Sequence, residues 1–216
     1  MSELAEAKIF WEKKILHWEK SRYSKWLALY PLSWSIRSRL RKAQKILLRR
    51  APNASRILEL GCGSGVLAEK IRSRFDRYYG IDIAQNAIEV ARTRAPEFTF
   101  VAGDVLTSDL PEAEVTVFLG LTDWLDEDGL GRLFERISSQ RVLFSFTSSS
   151  VRSPYRIYRK LMDRPRIHGK QRARSYDENF VRSLLAKNGF KMERLTQPNL
   201  LNPGVLVWAE KHDRVL

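Results

Sequence analysis

An α/β fold, a mostly parallel sheet with helices on both faces, is what this sequence predicts, and three observations predict it. From residue 56 onward, short apolar runs alternate with segments of helical period, the pattern of strands joined by crossover helices. The first run, "RILEL", passes straight into glycines at alternate positions, Gly61, Gly63 and Gly65, an arrangement that brings a ligand onto backbone N–H groups at the end of a parallel strand. The chain's 216 residues, 44% hydrophobic and 29% charged, suffice for one well-buried domain and require no second.

Each element has its own justification. "RILEL" reads as a strand and "GVLAEKIRSRF" as the helix after it; "YYGIDI" is a second strand and "AQNAIEVARTRA" a helix stopped by Pro96. "FTFVAGDV" is a third strand and "EVTVFLGL" a fourth. "DEDGLGRLFERISSQ" is a helix opened by acidic residues, as its dipole favours, and "RVLFSFTS" is a fifth strand. A helix over 177–188 has an acidic start and an Asn-Gly stop. It leads into "FKMERLT" and "GVLVWAEK", two runs close enough to pair antiparallel. Ahead of the sheet, Trp11, Ile15 and Trp18 recur at helical spacing among Lys and Glu, and a second helical segment follows the break at Pro31. The expected division is residues 1–52 as basic amphipathic helices forming a cap or lid, and 53–216 as the main domain with a basic insertion over 148–176.

The charge is unevenly spread. The net charge of +13 resolves into +9 over residues 1–52 and +8 over 151–175, which leaves the remainder mildly acidic. Such a surplus faces something anionic: a nucleic acid, an anionic membrane surface or an acidic substrate. The single cysteine, Cys62, excludes an intramolecular disulfide and a cysteine-based metal cluster, so no metal is expected. The first twenty residues lack the apolar core of a signal peptide, and no stretch approaches the ~18 apolar residues of a membrane span. The expected location is cytoplasmic, with a peripheral hold on the inner face of the membrane as an option.

The glycine spacing differs from that of dinucleotide binders, and Glu59, two residues before the loop, would repel a pyrophosphate while attracting an ammonium. Asp82, at the end of the second strand, stands where an acid accepts the hydroxyls of a ribose. Asp104, after the third, can accept from an adenine amine. Three acids on three consecutive strand ends favour S-adenosylmethionine over a nicotinamide dinucleotide.

With "LELGCGSG", "YYGIDIAQNAIEVAR" and "FVAGDVL" in that order, the sequence resembles the class I S-adenosylmethionine-dependent methyltransferases. The resemblance implies a Rossmann-like sheet of seven mostly parallel strands ending in a hairpin that reverses the last strand, with N-terminal helices and a lid inserted after strand five added to it. It also implies S-adenosylmethionine contacts from Glu59, Gly61, Cys62, Gly63, Gly65, Asp82, Ile83, Asp104 and Val105, with Leu119 beneath the cofactor.

Methyl transfer is an in-line displacement, in which alignment supplies much of the acceleration and a strong base is optional. Asp123, after the fourth strand, and His168, in the long insertion, are the candidates for such a base; His17 and His212 have weaker claims. The Asn/Asp-Pro-Pro-aromatic motif of adenine N-methylating members is missing after strand four. Tyr23, Tyr30, Arg152, Tyr155 and Arg156 are the expected substrate contacts. From strand five onward the layout is also similar to the magnesium-protoporphyrin O-methyltransferases, which methylate a carboxylate. The expected acceptor is therefore an anionic or lipid-linked small molecule, such as a glycan intermediate or an isoprenoid or tetrapyrrole acid. An RNA or protein methyltransferase using the same basic surface, and a non-catalytic cofactor-binding partner protein, are the competing readings.

Overall fold

The computed structural model describes residues 3–23, 31–151, 173–199 and 202–212. Seven strands form one sheet: β1 (Arg56–Leu60), β2 (Arg77–Asp82), β3 (Thr99–Ala102), β4 (Val115–Leu119), β5 (Arg141–Thr147), β6 (Phe190–Arg194) and β7 (Gly204–Lys211). Their order is β3-β2-β1-β4-β5-β7-β6. β1 to β5 are mutually parallel, and β7 enters antiparallel between β5 and β6. The expected seven-stranded sheet and its reversed final strand are both present.

The helices are α1 (Glu3–Tyr23), α2 (Pro31–Arg50), α3 (Val66–Ile71), α4 (Gln85–Arg94), α5 (Glu127–Arg136) and α6 (Glu178–Lys187). Because β1 carries apolar side chains at successive positions, it feeds two cores at once. Ile57 packs with Leu40 and Leu47 of α2, Leu67 and Ile71 of α3, and Ile88 of α4. Leu58 and Leu60 pack on the opposite face with Leu133 and Phe134 of α5 and Val181 and Leu185 of α6. The sheet is thus covered on both faces, as the continuous apolar runs require. α5 and α6 start on side-chain caps: Asp126 accepts from Gly129 N, and Asp177 from Asn179 N.

Two local departures from the sequence reading matter for the site. β3 ends at Ala102, because Asp104 turns the chain and its carboxylate accepts from Leu106 N at 3.0 Å. After β4, a single 3₁₀ turn over Thr122–Trp124 intervenes before α5.

α1 crosses the end of the sheet where the parallel strands finish. Ile15 is buried with Ala84 and Ala87, and Trp11 packs beside them. Farther along, Trp11 meets Trp124 edge-on with ring centres 4.8 Å apart, and Phe10 joins at 5.9 Å. The apolar stripe expected on this helix therefore faces the protein. No helix of the described residues is long and apolar enough to cross a membrane.

Candidate functional site

The carboxyl ends of β1 to β4 gather the residues that the glycine loop and strand-end acids single out. Gly61, Ile83, Asp104 and Leu119 are half-buried there, while Asp82 and Val105 are buried. Gly61, Gly63 and Gly65 have left-handed φ of 71°, 53° and 72°. The Asp82 carboxylate bridges two segments, accepting from Gly63 N at 2.8 Å and Ala84 N at 3.0 Å. Each oxygen then keeps a lone pair for a ligand hydroxyl.

Glu59 takes a position that the sequence did not foretell. It lies beneath the loop, 4% exposed, and its carboxylate accepts the buried Tyr78 hydroxyl. Burial pushes its pKa up to about 8, partly offset by the Tyr78 bond and reinforced by the charges of Asp82 and Glu19. Burial also raises Asp82 above the usual carboxylate range, against the lowering effect of its backbone N–H donors. The Cys62 thiol, in the same loop, is pushed well up by burial and by neighbouring acids, which makes it an inert packing group.

Two further carboxylates arrive from α1. Glu19 accepts from Ser64 N at 3.1 Å and from the Ser64 hydroxyl, and burial raises its pKa. A side chain at position 63 would collide with Glu19 Oε1, so glycine there admits this residue as well as the turn. Glu12 accepts from Gln85 N at 2.6 Å and Asn86 N at 3.3 Å, capping the start of α4. Sequence reasoning missed both glutamates. Their signal was a spacing of seven that keeps them beside the apolar stripe of the same helix. Glu12, Glu19, Glu59 and Asp82 thus surround one loop, and among them the guanidinium of Arg94 is the cation that acts on Glu19.

The β4–β5 end is organised differently. Asp123 holds β5: its carboxylate accepts from Thr147 N at 3.0 Å and Thr147 Oγ1 at 2.8 Å. Its backbone carbonyl accepts from Arg174 N at 2.6 Å. A proton-accepting role for Asp123 would have to share oxygens already engaged in joining two strand ends. The edges of the insertion meet here, with Tyr176 N donating to Thr147 O and Ser149 N to Tyr176 O. Arg39, from α2, also reaches this end, lying against Gly120 directly after β4. Within the insertion, His168, Arg152, Tyr155 and Arg156 lie outside the described residues, as do Tyr30 and the side chain of Tyr23.

Behind the glycine loop, away from Asp82 and Asp104, a cavity of about 650 Å³ separates α1 and α2 from α3 and α4. Lys20, Arg37, Arg41, Lys70 and Arg94 line it, against Glu19 and Glu69. Part of the basic surplus of the N-terminal helices therefore gathers in one concavity. Among the described residues, no group of three or more His, Cys, Asp or Glu is arranged to hold a metal ion.

Comparison with known proteins bears on this arrangement. Residues 57–142 match a family model described as "Methyltransferase domain". The magnesium protoporphyrin IX methyltransferase of Synechocystis PCC 6803, solved with bound SAM, superposes with a TM-score of 0.74 at 14% identity, covering 98% of both chains. A malonyl-[acyl-carrier protein] O-methyltransferase of Chlorobium luteolum is 36% identical over 124 residues, 50% of this chain and 47% of that protein. A trans-aconitate 2-methyltransferase of Sinorhizobium medicae is 40% identical over 83 residues, 37% of this chain and 31% of that one. The chain spans less than half the length of the curated relatives it matches, from 16% to 47%. Residues 57–142 thus match a methyltransferase domain, and the chain around them shares the fold of the solved S-adenosylmethionine-dependent methyltransferase.

Proposed function

We propose that this protein is an S-adenosylmethionine-dependent O-methyltransferase whose acceptor is an acidic small molecule. The observation that carries the cofactor half is the set of four carboxylates around one glycine loop, with Glu19, Glu59 and Asp82 all raised in pKa. Burial is the main cause of each rise, and a ligand bearing an ammonium and a sulfonium would supply positive charge to carboxylates held out of water. The residues fit such a guest: Asp82 has lone pairs left for ribose hydroxyls, Ile83 and Asp104 stand half-exposed for the base, and Gly61 carries no side chain to hold a ligand off. Bound there, S-adenosylmethionine supplies an electrophilic methyl group.

The chain's own residues then hold and orient. Asp82 fixes the loop and the start of α4 together, so ribose binding and loop geometry depend on one side chain. Asp123 and Thr147 fix the ends of β4 and β5, against which an acceptor must be aligned. A carboxylate acceptor arrives ionised and asks no base of the protein, which suits an end where Asp123 is occupied with its neighbours. The acidic class of acceptor is supported by the relatives named for malonyl-carrier protein and trans-aconitate.

The test is transfer of tritiated methyl from S-adenosylmethionine to a panel of acids, including trans-aconitate, malonyl-carrier protein and protoporphyrin, followed by mild alkali. A methyl ester releases its label as volatile methanol. Label that resists alkali, or that enters RNA or protein instead, would replace the acidic acceptor with another class. Tight cofactor binding without transfer to any acceptor would favour a non-catalytic partner.

A further inference from the structure

We infer that Arg39 is the residue that binds the acceptor's carboxylate, which makes the acceptor an acid with an apolar body. The inference rests on the methyltransferase reading and names the acceptor side of that same site.

Arg39 belongs to the long basic helix α2, yet unlike the solvated Arg41, Lys42 and Lys45 it is half-buried. Its guanidinium lies over the residue that follows β4. A Cβ added to Gly120 would stand 3.1 Å from Nη2 and 3.2 Å from Nη1. Gly120 has a φ of 89°, so the backbone turns away and leaves the space that the guanidinium fills. Behind it, Nη1 donates to Ser145 Oγ at a long 3.4 Å, and that hydroxyl oxygen already accepts from Gly120 N at 3.0 Å.

A planar fork of five donors is poorly matched by one distant hydroxyl. Among the described residues no carboxylate pairs with Arg39, although ion pairs are frequent elsewhere, as in Arg50 with Glu193 and Arg194 with Glu178. A guanidinium taken partly out of water is compensated best by a bidentate carboxylate or phosphate. It stands at the carboxyl ends of β4 and β5, beside Leu119, where an acceptor must meet a cofactor held on β1 to β3. Four residues beyond Gly120, Trp124 forms a cluster with Phe10 and Trp11, three half-buried rings that offer an apolar wall at the same end. A cationic anchor beside an aromatic surface selects an amphiphilic acid.

Benzoate combines both features and serves as the probe. In ¹⁵N-labelled full-length protein saturated with S-adenosylhomocysteine, it is titrated while the Arg39 Nε–H and Trp124 indole resonances are followed, the first assigned by its loss in Arg39→Met. The expected result is a saturable shift of both resonances. Arg39→Met should weaken the Trp124 response at least about tenfold, and Arg39→Lys, which keeps the charge without the fork, should fall between. Affinity for S-adenosylhomocysteine should stay within about twofold in both variants, since binding at the loop does not involve Arg39. An unmoved Arg39 resonance, or an equal Trp124 response in wild type and Arg39→Met, overturns the inference. Should the wild type fail to bind S-adenosylhomocysteine, the cofactor reading falls instead, and the same titration on the ligand-free protein still reads Arg39. Arg39→Lys also covers the case in which the methionine variant unfolds.

Discussion

The end of β1 and β2 and the end of β4 and β5 are neighbours in one sheet and opposites in charge. At the first, four carboxylates crowd a glycine loop, and burial shifts Glu19, Glu59 and Asp82 upward in pKa. At the second, the acid Asp123 is tied down by Thr147, while the cation Arg39 leans on a neutral hydroxyl. On the proposed reading, two guests of opposite charge complete these two ends. A sulfonium donor and a carboxylate acceptor would be such a pair, and the strand order would have them meet where β1 and β4 adjoin.

The largest effect that would break this contrast lies in pH. The Glu59 carboxyl has a pKa of about 8 in the fold against an ordinary 4.5, so the folded chain holds its proton more tightly than the unfolded chain does. Its contribution is complete below about pH 4.5, where both states are protonated. It is lost at about 1.4 kcal/mol per pH unit as the unfolded chain ionises first, until the folded group ionises too near pH 8. Thermal melts of Glu59→Gln beside wild type should therefore diverge between pH 5 and pH 8, with the wild type losing more. Parallel curves would mean that burial does not hold the Glu59 carboxyl above its ordinary range.

A smaller effect, sharper in location, is expected of Asp82→Ala. The substitution removes the acceptor of two backbone N–H groups and the proposed acceptor of the ribose, and calorimetry should find S-adenosylmethionine binding weakened by about 2 kcal/mol, roughly thirtyfold. Unchanged affinity would remove the loop from the cofactor site. Thr147→Val should do the least: it keeps the shape and the backbone bond to Asp123 while losing the hydroxyl donor, for about 1 kcal/mol of stability in urea and no change in cofactor affinity. If affinity fell as it does in Asp82→Ala, the two ends would not be separable.

What could be read in the sequence was what adjacent residues dictate. "RILEL" and "RVLFSFT" became β1 and β5 because runs apolar at successive positions suit strands covered on both faces. The turn at Asp104 shortened β3 through a hydrogen bond two residues long, too local for the apolar pattern to register. Asp123 was visible as an acid, but its partner Thr147 stands 24 residues away, so a base and a strand clamp looked alike. Glu12, Glu19 and Arg39 come from helix faces whose charges pass for solvated ones. Only the fold reveals that those faces turn toward the ends of the strands. Gly63 and Gly120 held a trace of this: each leaves space for a charged side chain from a helix far upstream.

The placement of β7 has a consequence for how the chain is made. β6 precedes β7 in sequence, but β7 lies between β6 and β5, and its Trp208 is among the largest fully buried side chains. During vectorial synthesis β6 emerges with no strand to pair with, and β5 presents a bare edge, until residues 204–211 follow. The sheet therefore closes from its latest strand inward, and for the seconds in between a nascent chain offers two open edges to any neighbour on the same message.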